Sequence, residues 1–187
     1  MLKAIAEINT GVEYTVEAGR PDCITESNLA LLKKYGVTRI CINPQTFNDE
    51  TLKRIGRCHK SSDIIEKFKI AKGNFIINMD LICGLDGETK QDFFDSLEKA
   101  ISLEPENITV HTLSVKHGSY LAEDVKFLPK GDIEEMILYA ENRLEEKGYV
   151  PYYLYRQKYM AGNLENVGYA KPGTECIFNV DMMEETT

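Results

Sequence analysis

The amino-acid sequence predicts an α/β fold built on a parallel sheet. Predicted strands and helices alternate about five times along the 187 residues, which is the signature of βαβ units. The segment 75–82 is almost entirely apolar, as expected of a strand covered on both faces. Such repeats close either into a doubly wound open sheet or into part of a β/α barrel. The sequence contains no Gly-x-Gly-x-x-Gly motif, so the dinucleotide-binding version has no support.

The first half of the chain contains three strand–helix units. We predict strands at 12–17, 38–42 and 75–82, and helices at 25–36, 49–55 and 62–72. Thr25 and Asn48 are residue types that cap helices, because their side-chain oxygens accept hydrogen bonds from free backbone N–H groups. Gly36 and Gly73 are expected to end the helices before them.

The second half continues the pattern. Thr89 begins a helix, with Asp92 at the spacing of a capping box. Strands are predicted at 107–115 and 150–155, with a helix at 132–147 between them. We interpret residues 1–187 as one domain. Within it, 1–16 are expected to be the end of a preceding helix and the start of the first strand, and 176–187 a loose tail.

Composition excludes several classes of function. Lys and Arg number 22 against 30 Asp and Glu, and the net charge of −8 argues against nucleic-acid binding. No apolar run is long enough to span a membrane, and we expect no signal peptide, because Lys3, Glu7 and Asn9 interrupt any apolar stretch. The five cysteines are scattered, without a Cys-x2-Cys or Cys-x3-Cys pair. This spacing indicates reduced thiols in a cytoplasmic protein, and we expect no metal site within the chain.

Polar residues follow the predicted strands at the point where each strand ends. In parallel α/β folds these carboxyl ends share one edge of the sheet, where ligands bind. The groups expected there are Glu17 after the first strand, 43–45 after the second, Asp80 in the third, Ser114 with Lys116 and His117 after the fourth, and 155–158 after the last.

Asp80 is the most informative of these residues, because a carboxylate in an apolar strand is costly unless it is paired. It is either a structural group, for example in an ion pair with Arg57, or an acceptor of hydrogen bonds from a bound ligand. His111 is interpreted as a packing residue of its strand. Cys83 is interpreted as a small buried residue.

Four segments occur in an order that resembles a known family. They are Glu17, Asn-Pro-Gln-Thr-Phe-Asn at 43–48, Leu-Lys-Arg-Ile-Gly-Arg-Cys-His at 52–59, and Asn-Met-Asp-Leu-Ile-Cys-Gly-Leu at 78–85. Together they are similar to the oxygen-independent coproporphyrinogen III oxidase family of radical S-adenosylmethionine (SAM) proteins, over residues 13–119. The segments 17–22, 153–158 and 162–169 resemble its second-type, coproporphyrinogen-dehydrogenase-like branch.

The resemblance implies a partial TIM-like (β/α) barrel of about six strands. It also implies SAM and a 4Fe-4S cluster as cofactors, an electron donor, and a tetrapyrrole substrate whose propionates become vinyl groups in porphyrin and haem biosynthesis. Carried over position by position, the implied SAM contacts are Glu17 at the methionine moiety, Gln45, Arg57 and Asp80 around the carboxylate and ribose, and Ser114 near the adenine. We further hypothesise that cationic side chains meet the substrate propionates, namely Arg20, Arg156 and Lys158.

The sequence departs from the family in one essential respect: it lacks the Cys-x3-Cys-x2-Cys motif that binds the cluster. We expect that motif upstream of Glu17 in a longer protein, so that this chain is a barrel fragment, incomplete at its N-terminus and inactive alone. Two other functions stay open. One is a haem-binding chaperone related to the same family, and the other is a β/α domain that binds another phosphate compound or nucleotide. The segment 153–158 favours the oxidase-like branch, because chaperone relatives have a Glu-Ile-Ser-Asn-like sequence there.

Overall fold

The computed structural model describes residues 11, 13–114, 128–155 and 165–184. Six strands form one sheet: β1 (Thr15–Gly19), β2 (Arg39–Gln45), β3 (Ile76–Cys83), β4 (Asn107–Thr112), β5 (Val150–Tyr155) and β6 (Asn166–Ala170). The helices are α1 (Glu26–Lys34), α2 (Asp49–Arg54), α3 (Ser61–Ala71), α4 (Lys90–Leu103), α5 (Lys130–Glu146) and α6 (Ile177–Glu184). A short 3-10 turn, Pro21–Cys23, follows β1.

The strand order is β1-β2-β3-β4-β6-β5. Strands β1 to β4 are parallel neighbours, as the sequence predicts. Strand β6 is not predicted from the sequence; it lies between β4 and β5 and is antiparallel to both. Consequently β5 runs in the same direction as β1 to β4, and the carboxyl ends of five strands lie at one edge of the sheet. The sheet has the TIM-like arrangement that was expected, and it does not close within the described residues, where β1 and β5 are its edges.

The predicted helix caps are present. Thr25 Oγ1 accepts a hydrogen bond from the Asn28 N–H at 3.2 Å. Asn48 Oδ1 accepts from the backbone of α2, at 3.0 and 3.3 Å. The Thr89 and Asp92 side chains each accept from the other residue's backbone N–H, so the predicted capping box at the start of α4 is confirmed. These local bonds fix where the helices begin and hence the geometry of the loops after β2 and β3.

The outer face of the sheet carries the hydrophobic core. In β3 every second residue is fully buried against the helices: Ile77, Met79, Leu81 and Cys83. The intervening residues, from Ile76 to Ile82, are only partly buried. The expectation that this strand is covered on both faces is therefore wrong. Its inner face borders a cavity, and Asp80 lies on that face, so the carboxylate is not in the apolar core.

The carboxyl-terminal segment is attached to the sheet by Arg39, at the beginning of β2. Arg39 is only 1% exposed and donates to the carbonyl oxygens of Thr174 and Glu175, at 2.8 and 3.0 Å. Residues 177–184 form helix α6, in the segment expected to be a loose tail. Asn179 Nδ2 donates to Tyr152 Oη on β5 at 3.1 Å, which ties this helix to the edge of the sheet.

Candidate functional site

The inner face of the sheet encloses a cavity of about 1000 Å³. Residues at alternate positions of neighbouring strands line it, because alternate side chains of a strand point to the same face. They include Glu17 from β1, Cys41 from β2, Asn78 and Asp80 from β3, His111 from β4, and Tyr153 and Tyr155 from β5. A barrel interior is normally filled by branched apolar side chains. Polar and phenolic groups around open space instead indicate a ligand site.

Hydrogen bonds link this polar face across four strands, β1 to β4. The Cys41 thiol donates to Glu17 Oε1 at 3.0 Å. Asn78 is held at both ends of its amide: Oδ1 accepts from Thr109 Oγ1 at 3.1 Å, and Nδ2 donates to Asp80 Oδ1 at 2.7 Å. Its orientation is therefore fixed, and the amide presents a donor to Asp80.

His111 and Tyr155 approach Asp80 from the other side. His111 Nε2 lies 3.6 Å from Asp80 Oδ1, and His111 Nδ1 lies 3.2 Å from Tyr155 Oη. The Tyr153 and Tyr155 rings are stacked, with centroids 6.0 Å apart and an interplanar angle of 3°. Both contacts of Asp80 involve Oδ1. Its second oxygen, Oδ2, accepts no hydrogen bond from the part of the chain that the structure describes.

A smaller cavity of about 260 Å³ lies towards the carboxyl ends of the strands. Gln45, Ser114 and Asn166 line it, together with Asp80, His111 and Tyr155, which also line the larger cavity. These three shared residues form the boundary between the two spaces. Gln45 has a left-handed backbone with φ of 67°, which costs a non-glycine residue on the order of 1–3 kcal/mol and persists only where the surroundings enforce it.

Burial sets the protonation of several groups around the larger cavity. It strongly raises the pKa of the Cys41 thiol, and the neighbouring Glu17 carboxylate raises it further, so Cys41 is a neutral hydrogen-bond donor. Burial also raises the pKa of the Tyr153 phenol. The carboxylates Glu17 and Asp80 are thus surrounded mainly by neutral donors, an arrangement that leaves them able to face a cationic or hydroxyl-bearing ligand.

The structure places the predicted site residues in two groups. Glu17, Asp80, Gln45 and Ser114 all line the two adjoining cavities. Arg57 lines neither cavity. The alternative of an ion pair between Arg57 and Asp80 is wrong, because no salt bridge joins these two described residues, and the basic side chain that faces Asp80 is His111, at 3.6 Å from Oδ1. Burial lowers the pKa of Arg57, and the charge of nearby Arg20 lowers it further, so these two cations lie close to each other.

The two other residues predicted to meet the substrate propionates, Arg156 and Lys158, lie outside the described residues. The sequence pattern does not identify three residues that line the larger cavity, Cys41, Asn78 and Tyr153. The interpretation of His111 as a packing residue is wrong, because its side chain also lines this cavity. The available signal was a period of two: Asn78 and Asp80 on β3, and Asn107, Thr109 and His111 on β4, are polar at alternate positions. Only the register between the strands shows that these rows meet.

The fold and the cavities define an open β/α barrel whose interior carries polar and phenolic side chains, among them the acidic groups Glu17 and Asp80. The sequence profile of the radical SAM superfamily matches residues 1–100, more than half of the chain. This chain belongs to the radical SAM superfamily.

Two proteins of Bacillus subtilis are similar to this chain in sequence. The chain is 48% identical over 190 aligned residues to the oxygen-independent coproporphyrinogen-III oxidase-like protein HemZ of Bacillus subtilis, covering 99% of the chain and 38% of HemZ. It is 39% identical over 106 residues to the haem chaperone HemW of the same organism, covering 56% of the chain and 28% of HemW. The chain thus spans well under half the length of these relatives.

Among solved structures, coproporphyrinogen III oxidase HemN of Escherichia coli, described as a radical SAM enzyme, shares the fold. The TM-score is 0.74 at 21% identity, covering 98% of this chain and 41% of HemN. An archaeal Elp3 from Methanocaldococcus infernus matches with a TM-score of 0.63 at 23% identity, covering 69% of this chain and 32% of Elp3. The expected barrel class is confirmed by these matches. Among the described helices, none has the length and apolar character needed to cross a membrane.

The five cysteines do not fit the 4Fe-4S cluster that the superfamily implies. Cys41, Cys83 and Cys176 are buried, whereas Cys23 and Cys58 are exposed, and the five belong to separate segments. The described residues hold no group of three or more side chains able to bind one metal ion. Such a cluster needs closely placed thiolates.

Proposed function

We propose that this chain forms the SAM-binding barrel core of an enzyme that converts propionate side chains of a tetrapyrrole into vinyl groups. The observation that carries the proposal is Asp80: its carboxylate borders both cavities, its Oδ1 is held by Asn78, and its Oδ2 is left for a ligand. A carboxylate so placed suits the paired hydroxyls of a ribose, because carboxylates accept and never donate when ionised.

The other predicted contacts are proposed for SAM as well. Glu17 faces the large cavity and suits the ammonium group of the methionine moiety. Gln45 and Ser114 line the small cavity, where they would meet the ribose and the adenine. Arg57 is proposed for the SAM carboxylate, since a guanidinium forms charge-assisted pairs with carboxylates.

The substrate is proposed from the named relatives. HemZ, named an oxygen-independent coproporphyrinogen-III oxidase-like protein, aligns with nearly the whole chain at 48% identity. Arg20, whose charge acts on Arg57, is proposed as a cation that meets a propionate. Arg156 and Lys158 complete the proposed set, and an electron donor and a cytoplasmic location belong to the same proposal.

A second candidate is a haem-binding chaperone. Support comes from the 39% identity to HemW over 106 residues, with further HemW proteins aligning along 96% of the chain at 27% identity. The two candidates share the SAM-binding barrel and differ in the fate of the tetrapyrrole, which is either transformed or bound unchanged.

The test uses the longest reading frame that contains these residues, reconstituted anaerobically with iron and sulfide. We expect an electron paramagnetic resonance signal of a reduced 4Fe-4S cluster that changes on addition of SAM. Asp80→Asn should weaken the SAM-dependent change. Asp95→Asn, an exposed carboxylate on α4 that accepts from Gln91, is the matched control and should leave it intact.

Turnover then separates the two candidates. Formation of vinyl products from coproporphyrinogen III, followed by chromatography, supports the enzyme. Tight haem binding in the Soret band without turnover supports the chaperone. A reconstituted cluster that does not respond to SAM would overturn the proposed cofactor site itself.

A further inference from the structure

Two chains of polar contacts start from the alternate tyrosines Tyr153 and Tyr155 of β5 and converge on one oxygen of Asp80. The first chain runs from Tyr153 Oη to Thr109 Oγ1 at 3.4 Å, then to Asn78 Oδ1 at 3.1 Å, and Asn78 Nδ2 reaches Asp80 Oδ1 at 2.7 Å. The second runs from Tyr155 Oη to His111 Nδ1 at 3.2 Å, and His111 Nε2 faces the same Oδ1 at 3.6 Å.

The chemistry of the groups gives the first chain a direction. An ionised carboxylate only accepts, so Asn78 must present its amide nitrogen to Asp80 and its carbonyl oxygen to Thr109. The Thr109 hydroxyl therefore donates to Asn78, and its oxygen accepts from the Tyr153 phenol, which remains protonated because burial raises its pKa. Every donor in this series of hydrogen bonds, from Tyr153 to Asn78, points towards Asp80.

The same reasoning orients the second chain. In a neutral imidazole one nitrogen carries a proton and the other accepts. The nitrogen that faces Asp80 is Nε2, so in the neutral ring Nε2 would carry the proton and Nδ1 would accept from Tyr155. The 3.6 Å separation is beyond a direct hydrogen bond, and a movement of about half an ångström would form one. Hydrogen bonds at binding sites often tighten in this way when ligand is bound.

We propose that Tyr153 and Tyr155 of β5 are positioning residues that act through Thr109–Asn78 and through His111 to orient Asp80 for ligand. Asn78 occupies Oδ1, His111 Nε2 faces the same oxygen, and Oδ2 is thereby directed to the ligand. The ligand class is a nucleoside with free ribose hydroxyls, and in this respect the inference rests on the proposed SAM site. Asp80, His111 and Tyr155 border both cavities and form a wall between them. This wall separates the nucleoside from whatever occupies the larger cavity.

The test measures the affinity of S-adenosylhomocysteine, a stable and unreactive analogue, by isothermal titration calorimetry on the same longest reading frame. Tyr155→Phe and Thr109→Val keep the shape of the wall and each break one chain. Each should weaken binding about three- to tenfold, the effect of a hydrogen bond worth about 1 kcal/mol. In an Asp80→Ala background the same substitutions should change affinity less than twofold, because they act through Asp80.

Two controls keep the result specific. Tyr139→Phe removes a phenol that donates to Glu98 Oε1 at 2.9 Å, away from the cavities, and should leave affinity unchanged. Nitrogen-15 spectra of the histidine rings, with His111 assigned by its loss in His111→Asn, should show the Nε2–H tautomer in the wild type and a mixture in Tyr155→Phe. This readout does not depend on ligand or turnover.

The outcomes are distinguishable. If the wild type does not bind S-adenosylhomocysteine, the proposed SAM site fails. If it binds, and folded Tyr155→Phe and Thr109→Val variants bind equally well, or weaken binding equally with and without Asp80, the positioning role is overturned. An Nδ1–H tautomer in the wild type would also overturn it.

Discussion

The ring of Tyr153 on β5 lies directly across the backbone of Gly168 on β6. A Cβ atom at position 168 would overlap the Tyr153 ring atoms Cε1, Cδ1 and Cζ. Gly168 is also paired with Thr109 of β4 in the antiparallel register, so it occupies the point where β4 and β5 are bridged. Only glycine allows the phenol to lie flat over β6 and reach Thr109.

Gly168→Ala is therefore expected to displace Tyr153. Overpacking of this kind costs about 1–3 kcal/mol of the free energy of unfolding. Urea unfolding followed by circular dichroism measures the loss. In the double variant with Tyr153→Ala the cost of Gly168→Ala should nearly vanish, because the overlap is gone. Gly131→Ala on α5, where an added Cβ would meet nothing within 4 Å, is the control and should not destabilise. Equal costs with and without Tyr153 would contradict the overlap.

Arg39→Met should be the most destabilising single change at the base of the sheet. Arg39 is buried and pairs with Glu13 at 2.9 Å while it holds two carbonyl oxygens of the segment before α6. Removing one partner of a buried ion pair costs about 3–5 kcal/mol, because the other charge remains buried and unpaired. Chemical unfolding measures this loss, and faster proteolysis within 174–184 should accompany it. Lys130→Met, which breaks only the exposed pair with Glu134, should have little effect on either measurement.

The cysteines should divide sharply in their reactivity. Cys23 and Cys58 are exposed, whereas Cys41, Cys83 and Cys176 are buried. Burial also raises the pKa of Cys83 to about 11, which leaves almost no reactive thiolate at neutral pH. Iodoacetamide on the native protein, read by peptide mass spectrometry, should modify Cys23 and Cys58 first. The buried three should react only after denaturation, and rapid native labelling of Cys41 would show that the cavity face is not packed as described.

Glu88 should make stability depend on pH. It is 3% exposed, accepts from Thr46 Oγ1 at 2.6 Å, and has a pKa raised by burial above its ordinary value near 4.5. The folded state then binds a proton that the unfolded state has lost, so the contribution of Glu88 to stability is present below the ordinary pKa and is lost as pH rises through the folded one. Glu88→Gln removes the ionisation. Its free energy of unfolding relative to the wild type should therefore increase as the pH rises from 4 to 8, which a series of urea titrations measures.

Glu98 should change stability with pH in the opposite direction to Glu88. Its pKa is lowered, chiefly by its hydrogen bonds with Arg143. The contribution of Glu98 is therefore present above the ordinary pKa and is lost as pH falls. Glu98→Gln should lose stability relative to the wild type at neutral pH and approach it in acid. Parallel pH profiles for the two variants would refute the assigned directions.

Local features of the sequence determined the larger part of the fold. Helix starts at Thr25, Asn48 and Thr89 could be predicted because a cap involves a side chain and a backbone group only two or three residues away. The alternation of strands and helices predicted the four parallel strands, because these patterns too are set by residues close together in the sequence. Polar residues at strand ends located Glu17, Gln45, Asp80 and Ser114 at one edge of the sheet.

The tertiary structure decided what the sequence left open. Asp80 is read from the sequence as buried, and only the pairing of β3 with β4 shows that it faces a cavity beside Asn78 and His111. The same holds for Tyr155, which reaches His111 across 44 positions of the chain because β6 returns between β4 and β5. Period and capping are set by neighbours a few residues apart, whereas strand register depends on the free energy of packing the whole sheet.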